Sequence, residues 1–342
     1  MNVMKQLSIL FCMLALLAAC DDSEHLSRKI DFTLPYVIED NPNDPVQHER
    51  YLIYSEYGIP VYFNDTVQVS NIGNDFEGKP IYRYETLDLN WGFTTHSKQN
   101  TLYTYDYLTR QDEQLKGLEY VRVFLEESST KMRPFCIFLV DTVTVKNLNN
   151  KKAQQPKYVS GFRCLVLAQF RKFDDKSMRT NCTSILRDMC KSKILGNNDL
   201  VSRFENISNA DHFYNRPWLE LGISETTQDW FKKSWMFSPN SLYEKGYIEE
   251  LMDVFSMERE EVEDARAAIM ADIGNYGFIS GFRSTPTKLS PKDVEEDLEY
   301  FIDTILEIGE NEFRTRYGAS SLVMEKYNII ADFITTDLGV QL

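Results

Sequence analysis

Histidine is scarce in this sequence of 342 residues, which contains four: His25, His48, His96 and His212. No two of them are three or four residues apart, so no pair would share one face of a helix. Because a catalytic zinc ion normally takes at least two imidazole ligands, this distribution argues against such a site. Each histidine is predicted to be a solvated or hydrogen-bonded residue without a chemical role.

Other catalytic signatures are missing as well. The segments YVSGF and GFISGF lack the spacing of a G-x-S-x-G nucleophile turn, and no glycine-rich phosphate loop or calcium loop is present. The adjacent acids Glu126-Glu127 and Glu260-Glu261 would point apart on a helix, so they are predicted to be solvated and not acid–base pairs. These absences exclude most familiar hydrolase sites.

Basic residues are outnumbered, with 37 Lys and Arg against 52 Asp and Glu and a formal net charge of −15. Phosphate-backbone binding depends on clustered Lys and Arg, and the sequence has no such stripe, so nucleic acid is excluded as a partner. Hydrophobic residues make up 43% and aromatic residues 13% of the chain. That content is sufficient for the core of a globular protein.

The only long apolar run is at the N-terminus, where Lys5 precedes an apolar stretch at 7–17. At about 1.5 Å per residue this stretch covers roughly half of a ~30 Å hydrocarbon core, so residues 1–19 are predicted to be a signal peptide and not a membrane span. The sequence Leu17-Ala18-Ala19-Cys20 resembles the lipobox of bacterial lipoproteins. Lipid attachment at Cys20 is therefore predicted, which anchors a protein without spanning the membrane.

Acidic residues follow this cysteine directly, as Asp21, Asp22 and Glu24. The arrangement resembles the export signal of Bacteroidetes surface lipoproteins, so we predict an outer-membrane protein exposed at the cell surface, with the periplasmic face as the alternative. Residues 20–45 are predicted to be an acidic tether. Residues 46–342 are then one domain, with subdomains at about 46–195 and 196–342.

Four cysteines remain in the body of the chain. Cys182 and Cys190 would lie about 12 Å apart on one helix, beyond the ~7 Å limit for a disulfide. Cys136 and Cys164 lie in two apolar, strand-like runs that can face each other, and a disulfide between them stays open at this stage. Buried free thiols are the favoured interpretation, and no cysteine spacing resembles a zinc ribbon.

Hydrophobic periodicity predicts an α+β fold, with a sheet in the N-terminal half and mostly helices in the C-terminal half. PFCIFLVDTVTV and YVSGFRCLVLAQF are predicted to be buried strands, and the segment between Gly58 and Thr109 is predicted to be rich in loops after a strand at GIPVYF. Helices are predicted at 46–58, 111–132, from Lys176 onward, and at 225–237, 242–255, 258–274, 291–308 and 320–335.

The helix that begins near Lys176 has an apolar stripe, formed by Cys182, Ile185, Leu186 and Met189. Its other face contains Arg187, Asp188 and Lys191. The simplest interpretation is a solvated face with an Asp188–Lys191 pair at i,i+3 worth a few tenths of a kcal/mol.

The order of parts around this helix resembles the zinc-binding metallopeptidase family of Bacteroidetes lipoproteins. The resemblance covers most of the mature chain and is based on YGIPVYF, RPFCIFLVDTV, YVSGF, RFENIS, RPW, YGFISGF and EEDLEYF. It implies a zincin-like fold in which this helix has an H-E-x-x-H motif that binds zinc. A later acidic motif is expected to supply the third ligand.

On this alignment the two histidines are replaced by Arg187 and Lys191, and the glutamate is replaced by Asp188. The acidic motif falls on the segment from Glu296 to Tyr300 and retains Glu296 as a remnant candidate ligand. Arg and Lys have no lone pair to donate to a metal at ordinary pKa. Zinc and catalysis are therefore predicted to be lost, and we predict that Arg187 and Lys191 pair with Glu296 in place of the metal.

The sequence thus predicts a surface lipoprotein that is a catalytically inactive relative of zinc metallopeptidases, with a role in binding or assembly. Its partners would be the membrane, through Cys20, and a peptide, protein or glycan ligand. One alternative is a glycan-capture lipoprotein of a polysaccharide-uptake system, using TLYTYDYLTR and WLELGISETTQDWFKKSW as stacking surfaces, although core packing is favoured for these aromatic residues. A second alternative is an active zinc metallopeptidase with unrecognised ligands.

Overall fold

The computed structural model describes residues 36–87, 89, 100–208, 212–233, 235–239, 242–281 and 288–342. The predicted signal peptide, Cys20 and most of the acidic tether lie outside these residues. Over the part of the chain that is described, no helix is long and apolar enough to cross a membrane.

The fold is mixed α+β, with the strands in the N-terminal half and mostly helices afterwards, as predicted. The strands are β1 (Val61–Tyr62), β2 (Thr66–Asn74), β3 (Pro80–Thr86), β4 (Thr101–Asp106), β5 (Cys136–Leu139), β6 (Thr142–Asn147), β7 (Ala153–Gln154), β8 (Tyr158–Ser160) and β9 (Cys164–Leu167). The helices are α1 (Pro45–Tyr57), α2 (Gln111–Glu127), α3 (Asp175–Leu195), α4 (Asn198–Ile207), α5 (Glu225–Lys233), α6 (Tyr247–Phe255), α7 (Arg259–Gly274), α8 (Val294–Tyr317) and α9 (Ser321–Asp332).

The main sheet has the strand order β1-β5-β9-β8, in which β1, β5 and β9 are parallel and β8 is antiparallel to β9. All four residues of β5 and of β9 are buried, as expected for parallel strands covered on both faces. Alternate side chains divide between two cores: Ile137 and Leu139 pack into the larger one, and Cys136 and Phe138 into the smaller one. Burying each large apolar side chain contributes about 1.5–3 kcal/mol.

The segment PFCIFLVDTVTV forms two strands and not the single one predicted. After β5 the chain changes sheets at Val140 and Asp141, where the Asp141 amide donates to the Asp106 carbonyl at 2.8 Å. The following strand, β6, pairs with β4 and β7 in a separate sheet. Strand β5 is fully buried and β6 is partly buried, so apolar residues continue from one strand into the next and the sequence does not mark the change of sheet.

The prediction of a loop-rich segment up to Thr109 was wrong, because this segment contains the β2–β3 hairpin and β4. The hairpin is largely exposed on both of its faces. A strand that is exposed on both faces has no alternation of apolar and polar residues, which removes the signal that identifies a strand.

Most predicted helices are present with shifted ends. Helix α2 ends at Glu127 and not at residue 132, because Ser128 has an extended backbone. Helix α6 begins at Tyr247, directly after Gly246, whose φ of +81° belongs to the left-handed region that glycine tolerates. Helix α8 continues to Tyr317, past a break at Gly309. The short helix α4 was not among the predicted helices.

One hydrophobic core cluster runs from Val46 in α1 to Leu338 near the end of the chain. It includes residues of both proposed subdomains, such as Phe124 of α2 and Phe301 of α8, which are both fully buried. This continuity is compatible with a single domain, and the boundary between the subdomains stays a prediction.

Candidate functional site

Helix α3 presents the residues that the sequence singled out. It starts with a capping box, in which the Asp174 carboxylate accepts from the Ser177 amide at 2.9 Å and Ser177 Oγ accepts from the Asp174 amide at 2.8 Å. The predicted apolar stripe is present, because Cys182, Ile185 and Met189 are buried against the rest of the fold. Arg187, Asp188 and Lys191 lie on the other face, as the helical spacing predicts; Arg187 and Asp188 are exposed, and Lys191 is partly buried.

Lys191 faces helix α8. Its Nζ lies 3.4 Å from Glu299 Oε1 and 3.2 Å from Asp303 Oδ2, and the Lys191 and Glu299 side chains are about three-quarters buried. Glu299 and Asp303 are one turn apart and therefore lie on the same face of α8. The ammonium thus bridges two carboxylates on a neighbouring helix, and the i,i+3 pair with Asp188 is replaced by these contacts.

Arg187 is bound to the same helix, where its Nη2 donates to the Leu306 carbonyl at 2.9 Å. Gly309 interrupts α8 three residues later, with φ +72° and ψ 177°. The carbonyl groups of the turn before such a break lack their usual helical partners and form the negative end of the helix dipole. Arg187 therefore acts as a cationic cap on the first segment of α8.

Glu296 has a different position from the one predicted. It lies in the first turn of α8, where its Oε2 accepts from the Lys292 amide at 2.7 Å and its own amide donates to Asp293 Oδ1 at 3.0 Å. The prediction that Glu296 pairs with Arg187 and Lys191 was wrong in its partner, because Lys191 contacts the carboxylates of the next two turns. One of these carboxylates, Glu299, belongs to the acidic motif. The position of that motif in the sequence was the only signal that could have pointed to Glu299 as a partner of Lys191.

A metal site is not found among the residues that the structure describes: no three His, Cys, Asp or Glu side chains are grouped to hold a metal ion. The cationic groups of Arg187 and Lys191 have no lone pair for a metal. Asp188 is exposed on α3, and its charge adds to burial in raising the pKa of Tyr158.

A cavity of about 330 Å³ opens beside Arg187. Its walls come from the end of α2, from α3, from α8 and from the C-terminal segment. The lining includes Ser128, Ser129, Thr183, Leu186, Ile305 and Val340. Larger cavities of about 890, 620 and 540 Å³ lie elsewhere and contain none of the predicted site residues.

The aromatic clusters are mostly part of the core. Tyr103 and Tyr105 alternate with exposed residues along β4 and pack on the smaller core, with the Tyr105 ring 4.9 Å from the Phe138 ring. Trp218 is completely buried, whereas Tyr107 is 42% exposed. Core packing therefore holds for Tyr103, Tyr105 and Trp218, which are not available as a platform for stacking sugar rings.

The cysteines of the body are buried free thiols, as favoured from the sequence. Cys136 and Cys164 are direct neighbours across the parallel β5–β9 pair, so the strand-like runs do face each other. Burial raises the pKa of Cys182 to about 12 and that of Cys190 to about 11. Such thiols are protonated at neutral pH and are poor nucleophiles and metal ligands.

A buried polar cluster was missed by the sequence analysis. Lys326 of α9 and Asp297 of α8 form an ion pair at 2.7 Å, and the Tyr214 hydroxyl donates to the same carboxylate at 3.0 Å. Asp297 belongs to the acidic motif around Glu296, but nothing in the sequence indicates that it points inward. The buried lysine lies in an otherwise ordinary amphipathic helix, where it resembles a solvated residue.

The chain matches no protein-family description, no curated protein and no solved structure. Its site is therefore interpreted from its own residues.

Proposed function

We propose that the protein is a lipid-anchored binding protein of the bacterial outer membrane, attached through Cys20 and exposed at the cell surface. Its zincin-like domain has lost zinc and peptidase activity and retains a ligand cavity. This proposal joins the resemblance to zinc-binding metallopeptidase lipoproteins with the geometry around α3.

The position of Lys191 is the observation that carries the proposal. Its ammonium occupies the space between Glu299 and Asp303, at the helix position where the family has its second histidine. A cation held by carboxylates of a facing helix replaces the positive charge that a metal ion would otherwise supply. Arg187, at the position of the first histidine, is held at the end of the first segment of α8.

The cavity beside Arg187 supports binding in place of catalysis. Its volume of about 330 Å³ lies at the lower end of the range for small-ligand pockets. A guanidinium has five N–H donors, and the contact with the Leu306 carbonyl leaves others to bind a carboxylate. Leu186, Ile305 and Val340 add apolar surface. We therefore propose an acidic peptide segment with a neighbouring apolar side chain as the ligand.

Two measurements on residues 21–342 test this proposal. Zinc content after zinc loading and exhaustive dialysis is expected to be close to zero, and casein cleavage is expected to be absent. One tightly held zinc ion per chain would contradict the proposed loss of zinc and favour the alternative of an active zinc metallopeptidase.

Binding is tested on an array of acidic and neutral peptides. Arg187→Gln is expected to weaken the acidic binders by tenfold or more, because about 1.4 kcal/mol corresponds to a factor of ten. Arg203→Gln is the matched control, since Arg203 is an exposed helical arginine paired with Asp199 and does not line the Arg187 cavity. Equal loss in both variants, or binding of glycans but not peptides, would contradict the proposed ligand.

A further inference from the structure

The buried ion pair between α8 and α9 has an unusual setting. Lys326 Nζ lies 2.7 Å from Asp297 Oδ2, and the two side chains are 0% and 1% exposed. The Tyr214 hydroxyl donates to the same oxygen at 3.0 Å. The other oxygen, Asp297 Oδ1, has no hydrogen-bond partner within the described part of the chain. The carboxylate is therefore poorly compensated as an anion.

Aromatic rings surround the amine. The centroids of the Phe204, Phe278 and Phe301 rings lie 4.5, 4.9 and 5.7 Å from Lys326 Nζ. Rings attract an ammonium ion when water is excluded. Desolvation of the two ions is the larger effect and opposes their charged forms. Burial accordingly raises the pKa of Asp297 and lowers the pKa of Lys326, despite the attraction between them.

Both shifts favour transfer of the proton from the ammonium to the carboxylate. That transfer would leave a neutral amine and a neutral carboxylic acid at the 2.7 Å contact. A neutral amine has the lone pair that an ammonium lacks, and a neutral carboxylic acid accepts a nucleophile far better than a carboxylate does. Holding two reactants in this geometry is equivalent to effective concentrations of about 10⁵–10⁸ M in well-oriented cases.

We propose that Lys326 and Asp297 join in an intramolecular isopeptide bond that covalently connects α8 to α9. Nζ attacks the Asp297 carboxyl carbon, a C–N bond forms, the C–Oδ2 bond breaks, and one water molecule leaves. Tyr214 is positioned to protonate the departing oxygen, and the proton that Nζ loses returns to the Tyr214 oxygen. No oxidant, reductant or further reactant is needed, because an amine and a carboxylic acid give an amide and water.

The bond closes a covalent loop from residue 297 to residue 326. Closing a loop stabilises a fold by restricting the unfolded chain, as a disulfide does. The described cysteines are all free thiols, so this link would be the covalent support of the C-terminal helices. It is independent of the ligand and of the metallopeptidase resemblance.

Intact mass spectrometry of residues 21–342 under denaturing conditions tests the proposal. The expected mass is that of the sequence less one water molecule, and a tryptic digest is expected to give a branched peptide that joins Lys326 to Asp297. The Lys191–Glu299 pair is the control within the molecule. Its side chains are about one-quarter exposed, so water reaches this pair, and their peptides are expected to be separate.

Two variants make the test specific. Asp297→Asn is expected to lose ammonia in place of water and to reach the same final mass as the parent. Lys326→Arg, which has no primary amine, is expected to keep the full mass of its sequence. An unmodified mass for the parent protein overturns the proposal, whether or not the variants fold. Water loss that maps to an unbranched peptide, as in a cyclic imide at another aspartate, overturns it as well.

Discussion

If the proposed zincin-like fold is correct, rebuilding its H-E-x-x-H motif in α3 is expected to give this protein a zinc site in a restored variant. The change is Arg187→His with Asp188→Glu and Lys191→His. Imidazoles at i and i+4 point to one side of a helix, which suits them to a shared metal ion. Lys191 already contacts Glu299 and Asp303. A metal that replaces its ammonium would therefore lie beside carboxylates that can supply the third ligand.

The size of the effect follows from the charges involved. The substitutions remove two positive charges from the face toward α8, and a zinc ion returns two. Without metal, the variant loses partly exposed ion pairs that are worth about 0.2–1 kcal/mol each, so it is expected to fold. Zinc at one hundred times its dissociation constant adds about 2.7 kcal/mol. Because the entropy of unfolding grows with chain length, in a domain of about 300 residues this corresponds to a rise in Tm of roughly 4 °C.

Thermal unfolding with zinc and with a chelator measures this rise, and metal analysis after dialysis counts the bound ions. The matched control is Asp188→His with Ser192→His, which has the same i,i+4 spacing on exposed positions of α3. The parent protein is expected to show no zinc-dependent change in Tm. If the restored variant takes up no more zinc than the control, α3 is not the counterpart of a zinc-binding helix, and the zincin-like proposal fails.

Three further predictions concern the fold. Cys182 and Cys190 are expected to resist alkylation at about pH 8 until the protein unfolds, because burial raises the pKa of each thiol. Mass spectrometry of labelled native protein measures this resistance, and rapid labelling would contradict the buried positions. Tyr120→Phe removes a buried 2.6 Å hydrogen bond to Asn181. It is expected to lower the free energy of unfolding in urea by about 1–3 kcal/mol. An unchanged free energy of unfolding would mean that Asn181 accepts from another donor. Hydrogen bonds from Ser177 hold the pKa of Asp174 below its ordinary 3.8. The stability that this N-cap contributes is therefore present above pH 3.8 and lost as the pH falls below it. Asp174→Ala is expected to lower Tm at neutral pH by an amount that becomes smaller in acid, and a difference in Tm that stays constant with pH would refute the capping argument.

Sequence patterns predicted the site helix well because its signals are local. The helix was predicted to begin near Lys176, and it begins at Asp175 after the capping box of Asp174 and Ser177. The spacing of Cys182, Ile185 and Met189 fixes which face is buried. The buried strand β5 was recognised by its continuous run of apolar residues. These features depend on the periods of the helix and strand and on capping, which involve residues close in sequence.

The partner of Lys191 was predicted incorrectly because it depends on how two distant helices pack. The acidic motif of α8 offers Glu296 and Glu299 within one turn, and the sequence does not define their distance from α3. The relative positions of α3 and α8 select Glu299 and Asp303. A shift of one turn along a helix axis is about 5.4 Å, which exceeds the reach of an ion pair.

Residue types and spacing were enough to predict the α+β class and the polar face of α3 that contains Arg187, Asp188 and Lys191. Each of these follows from residue chemistry and local periodicity. That Lys326 and Asp297 meet at a buried position lined by aromatic rings follows from the packing of α8 against α9, and nothing in the sequence indicates it. Burial is a property of the whole packed chain, and it disfavours the charged forms of both side chains.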